Sequence, residues 1–274
     1  MSNIRILRIR SRSIAYGLMV FIYWILICDA YKYLDNTLIT MNLTGGISIG
    51  DLFISLYRGC ESVQNISRAK VSIPVSSVIQ QIVPILCTLY LWTTLRSGFN
   101  TQLILKTRTW KNNIIIEILG VYRIICFLAL VQMVEMILFS AMQGVDIRYS
   151  INEALWKGIY GFVPDAFLEL PMIWIMIMVY QSLSAVITYM LAVAIGEKGT
   201  LISEITYVIV CLFYCSPILL GNYIMLLRID ALHCNGTGVK LMSRVMGFLL
   251  LVSTISAYYI RYRSVEKGRW LEYD

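Results

Sequence analysis

Residues Ile124–Ala141 read IICFLALVQMVEMILFSA, eighteen positions with a single carboxylate and no basic residue. At 1.5 Å of rise per residue they make about 27 Å of helix, close to the ~30 Å hydrocarbon core of a bilayer. Five further blocks share this character: Ile14–Tyr31, Ile73–Thr94, Leu170–Gly196, Ile202–Leu220 and Met242–Tyr262. Of 274 residues, 58% are hydrophobic and 14% charged, and a soluble core in so short a chain could not bury six such segments. Only helices and closed barrels satisfy backbone polar groups in lipid, and continuous apolar runs rather than ten-residue alternation favour helices. The expected fold is all-α: a polytopic membrane protein of six transmembrane helices, forming a single transmembrane domain over residues 1–274.

Lys and Arg set the orientation. An even number of spans places both termini on one side. That side carries Arg5, Arg8, Arg10 and Arg12, then Arg96, Lys106, Arg108, Lys111 and Arg123, then Lys198, and finally Arg261, Arg263, Lys267 and Arg269. Fourteen of the 23 basic residues fall there and nine opposite, so both termini are expected in the cytoplasm. Topology and anionic lipid account for the net charge of +7, and no nucleic acid is implied. The first apolar run is too long for a cleaved signal peptide and lacks an A-x-A-like exit. The start, MSNIRILRIRSR, reads either as an interfacial helix or as a plain basic anchor.

The connections separate the spans. In the outer loop from Lys32 to Val71, Ile47, Ile49, Leu52, Phe53 and Leu56 predict a short amphipathic helix on the outer face, and INEALWKGIYGF after Gln143 predicts a second surface helix. The fifth block continues apolar through Pro217 and Gly221, both of which permit a break. It reads as a span followed by a short re-entrant or surface helix on the outer side, or as one long kinked span. Cys28, Cys87, Cys126, Cys211 and Cys215 lie in spans as small packing residues, whereas Cys60 and Cys234 lie outside and could pair.

Ordinary catalytic chemistry is missing. His233 is the single histidine, so no H-E-x-x-H site can form, and no catalytic or metal-ligating residue is assigned. No G-x-x-x-x-G-K-[ST] loop occurs: Gly196-Glu-Lys-Gly-Thr200 has those letters in another order and follows an apolar helix, as a tight turn would. Glu135 stands out, deep in the third span with Gln132 one turn before it on the same face. A carboxylate at that depth is costly and faces a partner or a cavity. The pair reads as the polar lining of a transport path, or as hydrogen-bonded packing. Glu117 and Arg123 are expected at the cytoplasmic interface without a special role.

The long cytoplasmic connection reads Arg96-SGFNTQLILKTRTWKNN-Ile114. Gln102, Leu103, Ile104 and Leu105 form an amphipathic patch, and Lys106, Arg108 and Lys111 surround Trp110. Such a segment can anchor at the membrane surface or dock in a soluble partner's groove.

With this layout, and with Phe99-NTQLILKTRTWKNNI leading into the third span, the chain resembles the permease subunit of ABC type-2 transporters. Within that family it is similar to the small peptide- and lantibiotic-exporting or immunity-type permeases of Gram-positive bacteria. Its N-terminal segment is shorter than a full elbow helix. The resemblance implies two permease chains, as a homodimer, in a bacterial cell membrane, with two copies of a separate cytoplasmic ABC ATPase that bind the ATP and Mg; this chain would hold no cofactor. Thr101, Gln102, Leu103, Ile104, Leu105, Lys106, Arg108, Trp110 and Lys111 would form the ATPase-coupling segment. Pro217 and Gly221 would mark an outer gate, and the cargo would be an amphipathic peptide or other amphiphile. A stand-alone secondary transporter and a non-transporting sensor or assembly subunit are the alternatives.

Overall fold

The computed structural model describes residues 2–43, 45–59, 75–96, 110–147, 151–160, 170–216, 218–226, 228 and 236–266. They form α1 (Ser2–Thr40), α2 (Ile49–Tyr57), α3 (Val75–Arg96), α4 (Trp110–Gln143), α5 (Glu153–Tyr160), α6 (Leu170–Phe213), a short 3-10 helix (Leu220–Ile224) and α7 (Gly236–Glu266). No strand occurs among the described residues. The helices α1, α3, α4, α6 and α7 are each long and apolar enough to cross a membrane, five in all, compatible with a multi-pass membrane protein. The all-helical expectation therefore holds.

The fourth and fifth blocks are joined in α6, a 44-residue helix interrupted at Gly196, whose φ of 78° and ψ of 175° are not helical. A side chain at that φ would be strained, which is why glycine sits at the break. The two arms fold back on each other. Thr188 Oγ1 donates to Glu204 Oε1 at 2.9 Å, although sixteen residues of unbroken helix would separate them by about 24 Å. The second arm ends at Phe213, not at Leu220 as its hydropathy predicted. There Arg228, fully buried, donates to the carbonyls of Cys211 and Leu212 (2.6 Å for Leu212), with a longer 3.5 Å contact to that of Tyr214. The last carbonyls of a helix have no internal partners and carry its negative dipole end, so a guanidinium there both satisfies and neutralises them.

Helix α2 corrects the sequence reading most. All nine of its residues are buried, packed against α1, α3 and α4 rather than lying on a surface. Ile49, Leu52, Phe53 and Leu56 form the predicted stripe, but Ile54 lies well away from it and is equally buried, and Asp51 and Ser55 opposite the stripe are buried too, so both faces of the helix are covered. Helix α5 does behave as a surface helix, burying Leu155 and Trp156 while Glu153 and Lys157 stay exposed. The basic N-terminal stretch from Ser2 continues α1 without a break.

The fold-back at Gly196 predicts a short intramolecular cross-link. With the native cysteines replaced, Thr188→Cys/Glu204→Cys should join within one chain through a short bifunctional thiol reagent, read by mass spectrometry of the peptides. An unbroken helix would leave the pair unlinked.

Candidate functional site

The insertion of α2 begins with a capping box. Ser48 Oγ accepts from Asp51 N at 3.2 Å, and Asp51 Oδ2 accepts from Ser48 N at 2.9 Å and from Ser48 Oγ at 2.8 Å. Its other oxygen, Oδ1, accepts from Asn152 N at 3.0 Å and from Trp156 Nε1 at 2.7 Å. Asp51 is 0% exposed, and four donors replace the water it gave up. Backbone bonds from Ile49 N to Asp146 O (2.9 Å) and from Asp146 N to Ile47 O (3.1 Å) fasten the same point to the end of α4. The start of α2 is therefore held by α4 and α5.

The other end of α2 delivers Tyr57 to the middle of the bundle. Its hydroxyl lies 2.7 Å from Gln132 Oε1 on α4 and 3.2 Å from Gln80 Oε1 on α3, and Gln181 on α6 also faces it. Burial pushes the phenol well above its usual value, so it keeps its proton and donates. A phenol has one proton to give, and the shorter contact to Gln132 takes it. Four helices thus meet at one buried hydroxyl.

The same α3 and α4 helices carry buried polar atoms with no hydrogen-bond partner among the described residues: both oxygens of Glu135, both ends of the Gln81 amide, Nε2 of Gln80 and of Gln132, and the hydroxyls of Ser77 and Ser140. Glu135 is 5% exposed. Gln132 and Glu135, predicted as pathway residues, are brought together here. Gln80, read with Gln81 from sequence as interhelical packing, faces the same hydroxyl as Gln132, and Tyr57 was missed because nothing local distinguishes it. Buried polar groups are nearly always paired with protein or water, so these atoms call for partners other than the described residues.

A second junction closes one end of the bundle. Arg261 on α7 donates from Nε to Glu117 Oε2 at 2.9 Å and from Nη2 to Oε1 at 3.2 Å, and Tyr189 on α6 donates to Oε2 at 2.6 Å. The guanidinium also stacks 5.0 Å from the ring of Trp92 on α3, which meets Tyr189 edge-on at 5.5 Å. Glu117 is 3% exposed and has a structural role that the sequence reading did not give it: a two-pronged ion pair and one phenol satisfy it within the protein.

Of the predicted coupling set, residues 101–106 and Arg108 lie outside the described residues, while Trp110 and Lys111 open α4 rather than ending a loop. Pro217, Cys60, Cys234 and His233 also lie outside them. Gly221, read as half of an outer gate, is packed tightly: a Cβ there would come within 2.7 Å of Cys211 Sγ and 3.1 Å of the Tyr180 hydroxyl. Its backbone N donates to the Tyr207 hydroxyl at 3.1 Å. The described residues hold no group of three His, Cys, Asp or Glu suited to a metal. Comparisons with protein-family models, curated proteins and solved structures found no match for this chain.

The junction at Glu117 gives a stability test. Arg261→Met alone strands a buried carboxylate and should cost about 3–5 kcal/mol, whereas Glu117→Met/Arg261→Met together should recover most of that loss. Denaturant unfolding in detergent micelles reads both, and equal losses in the single and double variants would contradict the pairing.

Proposed function

We propose that this chain is the membrane-spanning permease subunit of an ABC type-2 exporter, moving an amphipathic peptide or other amphiphile outward. On this reading the arms of α6 are the fourth and fifth of six crossings, about 39 and 26 Å long, turning at Gly196 on the cytoplasmic side. Both termini are cytoplasmic, the membrane is a bacterial cell membrane, and the 3-10 helix with Pro217 and Gly221 forms the outer, re-entrant gate. Two ATPase subunits bind ATP and Mg and seat the segment Thr101–Lys111. A second permease chain completes the pathway as a homodimer.

One observation carries this reading furthest. Helix α4 is continuous from Trp110 to Gln143. It begins in the coupling segment, is tied to α7 by Glu117–Arg261, and reaches Gln132 and Glu135 at the polar centre. A helix transmits axial displacement, so a push on the coupling segment moves the polar centre without an intervening joint. The absence of a nucleotide-binding motif in this sequence fits energy supplied by a partner.

A second reading, a stand-alone secondary transporter, draws on the unpartnered Glu135, since buried carboxylates commonly serve proton or ion coupling.

Co-purification from native membranes separates the two. The permease reading predicts recovery of an ATPase bearing a Walker phosphate loop. It also predicts that Leu103→Asp/Ile104→Asp/Leu105→Asp lowers that recovery by about tenfold or more, the scale of losing a central apolar anchor, with membrane insertion unchanged. An unaltered yield of ATPase with the triple variant contradicts the coupling role, and no ATPase with the wild type favours the secondary transporter.

A further inference from the structure

The polar centre contains one acid and no base. Glu135 is buried on α4, and no cation among the described residues hydrogen-bonds to either of its oxygens. An uncompensated buried carboxylate costs several kcal/mol, so the group must hold a proton or meet a cation. Its surroundings favour a cation of a particular kind. Gln81 Oε1 is another orphan acceptor, on the α3 turn beside Gln80, whose Oε1 faces the Tyr57 hydroxyl at 3.2 Å; that hydroxyl donates to Gln132, on the turn before Glu135. The N–H donors of a primary ammonium need acceptors, and the Glu135 carboxylate and the Gln81 carbonyl oxygen are buried acceptors without a partner among the described residues. A small divalent metal would call for further acids, and the donor set here is one carboxylate with amides and hydroxyls.

From these residues we infer that the polar centre binds the ammonium group of a primary amine, with Glu135 as counter-ion and Gln81 as a further acceptor. This rests on the exporter reading and gives its cargo a chemical class: cationic amphiphiles whose amine enters the centre, whether from a lysine side chain, a peptide N-terminus or an alkylamine.

The test uses the full chain in lipid nanodiscs without ATPase, so that its failure leaves the co-purification result standing. Octylammonium, octyltrimethylammonium and octanol are compared at matched concentrations by thermal unfolding. Octylammonium should bind at least about tenfold more tightly than octanol, with the quaternary amine between them. Glu135→Gln should abolish the difference, the variant also cancelling partition of the probes into lipid. Gln81→Leu should bring the primary amine down to the level of the quaternary one, since it removes the further acceptor. Infrared spectroscopy gives a second readout: the protonated carboxyl band that Glu135→Gln removes should be lost from the wild type on adding octylammonium. Equal affinity for octylammonium and octanol, discrimination that survives Glu135→Gln, or a protonated band that persists at saturating amine would each overturn the inference. The last would mean that the centre holds a proton only.

Discussion

A helix placed among helices apolar enough to cross a membrane must bring its hydrogen-bond partners with it, because apolar surroundings supply none. The nine residues of α2 meet that constraint at Asp51. Two of its four hydrogen bonds cap the helix's own first turn, and the other two reach the Asn152 backbone and the Trp156 indole on the neighbouring segment. Without them the first turn of α2 would expose orphan N–H groups and a bare carboxylate within the protein, each costly. With them, α2 can sit inside and carry Tyr57 to Gln80 and Gln132. The polar centre depends on this insertion.

The bundle has two differently built ends. One is fastened by the backbone bridge between Ser48 and Asp146 and by Arg228 on the last carbonyls of α6. The other is closed by Glu117, Arg261, Tyr189 and Trp92, contributed by four separate helices. Helix α4 runs between them and meets both. Each end uses a buried charge whose polar partners come from other elements, the arrangement that makes burial of charge tolerable and fixes which helices are neighbours. Glu135 breaks this pattern, being buried like Glu117 but with no hydrogen-bond partner among the described residues.

Hydropathy made the crossings legible because length and apolarity are local properties. It also exposed Glu135, since one carboxylate in eighteen apolar residues needs no partner to be noticed. It could not show that α2 lies inside, because a short apolar helix looks the same on a surface and in a core. The partners that decide the matter are distant: Asp51 and Trp156 are 105 residues apart, Tyr57 and Gln132 75, and Glu117 and Arg261 144. Arg228 left a visible trace as a lone cation in an apolar run, but only the fold-back of α6 shows which carbonyls it meets. The end of α6 at Phe213 was illegible for the same reason: hydropathy continues where the helix stops, and the cap comes from beyond the break.

The insertion of α2 is most directly tested by hydrogen–deuterium exchange, followed by mass spectrometry, of the peptide covering Ile49–Tyr57 in lipid nanodiscs. The account predicts amide protection comparable to that of the α3 and α4 segments, with a marked loss on Asp51→Ala. Exchange as rapid as that of the exposed face of α5 would place α2 on the surface and leave the polar centre without its hub.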